Sequence, residues 1–100
     1  MWLFVMFDLP TETKIDKKNY QVFRKYLLNG GFQMYQYSIY IRYCDTDEQI
    51  NKHTNRINTN LPPDGNVSIL KITDKQYQKI VKLNNINKSI DIQTQQIVLL

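Results

Sequence analysis

The run Trp2-Leu3-Phe4-Val5-Met6-Phe7 restricts this chain more than any other feature. It is wholly apolar and ends at a carboxylate, Asp8, two residues before Pro10. Its length, its aromatics and the following proline favour a buried strand over a helix. Side chains alternate along a strand, so Trp2, Phe4 and Met6 face one way and Leu3, Val5 and Phe7 the other. A strand with one solvated face would alternate apolar with polar residues. This one is oily front and back, and both faces require cover.

The rest of the chain supplies part of that cover. Leu9-Pro10-Thr11-Glu12-Thr13 is a turn, because Pro10 cannot donate to a ladder. A helix is predicted from Lys14 to Leu28, with Thr13 as N-cap. Ile15, Asn19, Val22, Phe23, Tyr26 and Leu27 fall at helical spacing as its core stripe. Gly30-Gly31 ends the helix by supplying a left-handed residue. Phe32 to Tyr43 is extended and long for one strand, so two strands meeting near Ser38 are expected, as a tight hairpin or a sharp bend. Thr46-Asp-Glu-Gln49 matches a capping box and opens a second helix. Its thin apolar stripe is Ile50, Ile57 and Leu61, and Pro62-Pro63 stops it. Pro63-Asp64-Gly65 turns into a clear strand, Val67 to Ile72, with Val67, Ile69 and Lys71 on one side and Leu70 and Ile72 on the other. Thr73 to Leu83 opens with a short helix whose apolar part is Tyr77 to Ile80.

The order strand–helix–strand–strand–helix–strand is the α+β, ferredoxin-like βαββαβ arrangement, with both helices on one face of an antiparallel sheet. At 100 residues there is room for one domain, expected over 1–83. Residues 84–95 form a polar linker, and 96–100 an extra C-terminal strand. No apolar run approaches the ~20 residues of a membrane span, and the start lacks the pattern of a signal peptide. One cysteine, Cys44, rules out an intrachain disulfide and makes a reduced, cytoplasmic protein the default. Cys44 and His53 cannot build a four-ligand zinc site, and as a proteolytic pair they are a remote alternative. His53, flanked by polar residues, is expected to be exposed.

Two helices leave the second sheet face open, and an apolar sheet face is an interaction surface. A second copy about a two-fold axis is the simplest cover. The linker reaches about 40 Å when extended, so Ile97, Val98, Leu99 and Leu100 could add to the edge of the partner's sheet. A homodimer with exchanged C-terminal strands is therefore expected.

Three groups of residues could carry chemistry. Asp8 closes an apolar strand and either caps the Leu9-Pro10 turn or acts as a ligand. With the two-fold axis near the first strands, two Asp8 carboxylates come together and recruit a cation. Mg²⁺ suits such a site, completed by water or phosphate, and a metal there would activate water for phosphodiester hydrolysis. Lys14, Lys17, Lys18, Arg24 and Lys25 form a basic helix face, in a chain with 13 basic and 9 acidic residues. That face is either simply solvated or tracks a nucleic-acid backbone, doubled in a dimer. Tyr35, Tyr37, Tyr40 and Tyr43 either belong to core and interface or stack unpaired bases.

Several stretches together resemble one family. They are Phe4-Val-Met-Phe-Asp8-Leu-Pro-Thr, Tyr20-Gln-Val-Phe-Arg-Lys-Tyr-Leu-Leu, Gly31-Phe-Gln-Met-Tyr-Gln-Tyr-Ser-Ile-Tyr, Pro63 to Gln76 and Ile97-Val-Leu-Leu100. In order and spacing they resemble the CRISPR-associated protein two family, in the branch of type II systems. The resemblance implies a ferredoxin-like homodimer with C-terminal strands added across the interface. It implies a CRISPR adaptation (spacer acquisition) subunit that bridges dimers of the integrase, CRISPR-associated protein one, and holds double-stranded protospacer DNA. It also implies a magnesium-dependent endoribonuclease whose strand-end aspartate, matching Asp8, is the catalytic metal ligand, in a family whose members differ in whether nuclease activity is found and needed. Two alternatives remain open at this point. One is a ribonuclease toxin resembling the virulence-associated protein D group, and the other a single-strand RNA-binding module without catalysis.

Overall fold

The computed structural model describes residues 1–84. All but the first residue of the expected linker, and the terminal strand with Ile97, Val98, Leu99 and Leu100, lie outside the described residues. The elements follow the expected order: β1 (Trp2–Asp8), α1 (Lys14–Asn29), β2 (Gln33–Gln36), β3 (Ile39–Tyr43), α2 (Asp47–Thr59), β4 (Asn66–Ile72) and a short α3 (Asp74–Gln78). The four strands form an antiparallel sheet in the order β2-β3-β1-β4. β1 is thus interior, bonded to β3 from Trp2 to Met6 and to β4 along its whole length. Its continuous apolar run matches that position, with neighbouring strands on both edges and side chains packed on both faces.

On the helix side, Leu3, Val5 and Phe7 pack with Tyr20, Phe23 and Leu27 of α1, Ile50 and Ile57 of α2, and Tyr40 of β3. The rings of Tyr20, Phe23 and Tyr40 surround that of Phe7 at 5.2–5.7 Å between centroids. The α1 stripe differs from the expected one. Ile15 and Val22 are 60% and 59% exposed, whereas Tyr20 is buried. At about 100° per residue, Tyr20, Phe23 and Leu27 cluster on one line while Ile15 and Val22 stand about a third of a turn away. Asn19 and Tyr26 flank the line and are half-buried. Thr13 caps α1 as expected, in a full capping box with Asp16. Gly31, with φ of +86°, provides the left-handed exit, and a Cβ there would strike the Arg42 guanidinium.

In α2 the Thr46 side chain accepts from the Gln49 amide, but the Gln49 side chain accepts from Asp45 rather than closing the box on Thr46. Leu61 lies beyond the helix and is exposed, and His53 takes its place in the stripe: it is buried, not exposed as expected. His53 sits midway between Ile50 and Ile57, so the same helical line carries all three inward. Its ring meets Phe32 edge-on at 5.8 Å.

The opposite, outer face of the sheet is covered in part from within the chain. Tyr77 of α3 stacks on Trp2 at 4.1 Å, and Tyr43 meets Trp2 edge-on at 5.3 Å. Phe4 lies against Tyr35 at 5.3 Å, and the Lys82 ammonium sits 4.3 Å above the Tyr35 ring. Leu70, opposite Phe4 in the ladder, remains 47% exposed.

The packing difference along α1 is measurable. Phe23→Ala removes a ring that is 2% exposed and is expected to cost about 3–5 kcal/mol. Val22→Ala is expected to stay within about 0.5 kcal/mol of wild type. Urea unfolding midpoints of the two variants check both.

Candidate nucleic-acid interface

Asp8 is the last residue of β1, exposed, and opposite Asn66 in the β1–β4 ladder. Strand alternation puts it on the outer face with Trp2, Phe4 and Met6, away from α1 and α2. The backbone around it is held on both sides. The Phe7 amide donates to the Ser38 carbonyl at 3.0 Å. On the other side, Gly65 approaches so closely that a Cβ there would lie 2.5 Å from the Asp8 carbonyl oxygen. Gly65 also has φ of +94°, a conformation that side chains other than glycine strain to adopt. Its role at Asp8 had no sequence signal beyond the turn pattern Pro63-Asp64-Gly65.

No three His, Cys, Asp or Glu side chains gather into a metal-holding group among the described residues. One chain therefore offers one carboxylate at the end of β1. Mg²⁺ is held by as few as one or two carboxylates with water. Asp8 accordingly fits half of a shared site and does not fit a cage within one chain. It is also uncommitted: the one ion pair among the described residues joins the Met1 ammonium to Asp74.

The five basic residues lie on α1 but not on one line. Lys14, Lys18 and Lys25 form an outward ridge and are exposed. Lys17 and Arg24 stand about 100–120° from Phe23, on the flank that faces the β2–β3 hairpin, and Arg24 is half-buried. The ridge is on the helix side of the sheet and Asp8 on the other, so the structure does not bring the two together within a chain.

The tyrosines separate equally clearly. Tyr40 is core at 1% exposure, while Tyr35 and Tyr43 belong to the outer face beside Phe4 and Trp2. Tyr37 is at the hairpin turn, stacked on Tyr20 by one face and 75% exposed. Ser38 beside it has φ of +63°, unusual for a serine. Its hydroxyl bonds the Tyr20 hydroxyl at 3.0 Å, and its carbonyl accepts from Phe7. Burial pushes the Tyr20 hydroxyl above its usual pKa, partly opposed by the bond to Ser38. Register slips by one residue between Met34 and Gln36, which leaves Tyr35 as a bulge.

Cys44 and His53 are not an activated pair. Burial raises the Cys44 thiol, only partly offset by Arg42. Burial, then the charges of Arg42, Arg56 and Lys52, lower His53. Thiol and imidazole are both neutral in that environment.

The comparisons agree with this architecture. Residues 1–80 match the family model described as CRISPR associated protein Cas2. A Flavobacterium psychrophilum protein named CRISPR-associated endoribonuclease Cas2 is 49% identical over 77 residues, covering 77% of this chain and 67% of that one. A Paracidovorax avenae protein of the same name is 42% identical over 84 residues, covering 84% of this chain and 78% of its own. The crystal structure of Streptococcus pyogenes Cas2 at pH 6.5 superposes with a TM-score of 0.66, at 16% identity, over 84% of this chain and all of that one. That last match speaks for the fold. Fold and matched sequence together define a small ferredoxin-like protein of the CRISPR machinery. The chain belongs to the CRISPR-associated protein Cas2 family. Among the described residues no helix is long and apolar enough to cross a membrane.

His53 gives a pH test of this packing. Its pKa is lowered on folding, so below about 6.5 the unfolded chain binds the extra proton more readily. Stability is expected to be level from about pH 6.5 to about 8, below the range where Cys44 and the tyrosines titrate, and to fall as pH drops from about 6.5 toward 5. His53→Gln is expected to flatten that fall. Urea titrations at several pH values check it.

Proposed function

We propose that this chain is a CRISPR adaptation subunit that works as a homodimer. The pair bridges dimers of the integrase, CRISPR-associated protein one, and holds double-stranded protospacer DNA along α1. It also cleaves RNA at a site where Mg²⁺ is shared by the two Asp8 carboxylates. Exchanged C-terminal strands, Ile97 to Leu100, join the protomers in this proposal.

The observation that supports it is the position of Asp8: an uncommitted carboxylate ending a strand whose outer face is apolar. A second copy seated on that face covers Leu70 and Met6 and brings its own Asp8 toward the first. The names of the relatives supply the reaction, endoribonucleolytic cleavage. When bound, Mg²⁺ supplies a water of lowered pKa and neutralises phosphate charge. The residues of the chain do the rest. Asp8 holds the ion, Gly65 and Ser38 fix the Asp8 backbone, and Lys14, Lys18 and Lys25 draw the phosphate backbone by screened, sequence-independent attraction.

Two measurements test the two halves. Asp8→Asn keeps the shape and removes the charge. It is expected to lower magnesium-dependent cleavage of single-stranded RNA at least 100-fold, while spacer acquisition in cells persists. Cleavage at the wild-type rate would remove Asp8 from the reaction. Reversing charge at Lys14, Lys18 and Lys25 is expected to weaken duplex binding at least tenfold and to flatten its salt dependence by about 0.9 log unit per lost contact. Unchanged duplex affinity would make the ridge an ordinary solvated surface.

A further inference from the structure

A cleft of about 260 Å³ separates α1 from the β2–β3 hairpin, on the helix side of the sheet. Its walls include Lys17, Tyr20 and Arg24 of α1 and Met34, Tyr37 and Tyr40 of the hairpin. Lys17, Tyr20 and Arg24 follow one another at helical spacing, so a cation stands one turn to each side of the Tyr20 ring. The Tyr37 ring lies nearly parallel to that of Tyr20, at 5.8 Å and 18°. With 75% of Tyr37 exposed, the face turned from Tyr20 is open. None of the residues lining the cleft is acidic, and neither cation is in an ion pair.

The turn that presents Tyr37 is held rigidly. Ser38 occupies the left-handed region and is tied to α1 through Tyr20 and to β1 through Phe7. A Tyr37 ring held by that turn and open on one face, lining the same cleft as two cations outside any ion pair, matches the chemistry of one nucleotide: a flat base and an attached phosphate. A duplex hides its bases from such a platform, so the occupant is unpaired.

From this arrangement we infer that the cleft is a subsite for one unpaired nucleotide of a single strand. The base stacks on the open face of Tyr37 and the phosphate pairs with the cations of the cleft, Lys17 and Arg24. The inference deepens the nucleic-acid role proposed above and rests on it. It differs in place, since the cleft is on the face opposite Asp8 and off the ridge of Lys14, Lys18 and Lys25. The stack recognises any base and does not touch a 2′-hydroxyl, so RNA and DNA single strands are both ligands.

The test measures binding of fluorescently labelled ten-nucleotide oligouridylate and oligothymidylate, and of a blunt DNA duplex, to the full chain by anisotropy. Tyr37→Ala is expected to weaken both single strands about 5- to 100-fold and to leave the duplex within twofold. Tyr37→Phe, which keeps the ring, is expected to bind as wild type. Lys17→Gln with Arg24→Gln is expected to lower the salt dependence of single-strand binding by about 0.7 log unit per lost contact. Single-strand affinity unmoved by Tyr37→Ala overturns the inference, as does an equal loss for duplex and single strand. A wild-type chain that binds neither oligonucleotide overturns it too. Failure of the duplex alone to bind wild type defeats the proposal of DNA holding and leaves the Tyr37 comparison readable.

Discussion

Everything in this fold is built on β1 as an interior strand that is apolar on both faces. Its ladders to β3 and β4 fix the sheet, and its inner residues Leu3, Val5 and Phe7 collect the helices. An edge strand needs no such composition, and an interior strand with one solvated face needs only half of it. The double demand explains why α3 folds back so that Tyr77 covers Trp2, and why Lys82 reaches Tyr35. The outer layer is thinner than the inner one, a short helix and a few rings against two full helices. The apolar side chains left open there, such as Leu70, make this face the natural seat for a second molecule.

The element order was legible because its signals are local. Periodicity, caps and turn residues need no tertiary information, and Thr13, Gly31 and Gly65 act where the sequence puts them. Individual burial along the helices was less legible. Ile15 and Val22 look like core residues by composition and helical spacing, yet the sheet selects the line of Tyr20, Phe23 and Leu27. Tyr20 lies outside the expected stripe yet is buried, and its hydroxyl finds a partner in Ser38. His53 was misplaced too. Polar neighbours in sequence point outward on a helix, and so say nothing of the residue between Ile50 and Ile57.

For the site, the sequence marked residues but not their grouping. The basic positions of α1 read as one face, whereas the helix places Lys14, Lys18 and Lys25 on a ridge and Lys17 with Arg24 against the hairpin. The four tyrosines read as one series, and the alternating pleat with its bulge at Tyr35 divides them among core, outer face and turn. Side-chain direction in a strand depends on register, and a single inserted residue reverses it.

Register also places the two proposed nucleic-acid features at one end of the sheet, back to back. Phe7 turns its ring inward among Tyr20, Phe23 and Tyr40, and its amide bonds the Ser38 carbonyl. The next residue is Asp8, on the outer face. The turn that carries Tyr37 and the strand end that carries Asp8 are therefore joined by one backbone hydrogen bond and one peptide unit. Gly65 lies against the next peptide unit, at the Asp8 carbonyl, from the β4 side. The position of the carboxylate is set by the backbone of its neighbours rather than by any partner of its own side chain. That leaves its oxygens free for a ligand, while the backbone that carries them is held in the β1–β4 ladder.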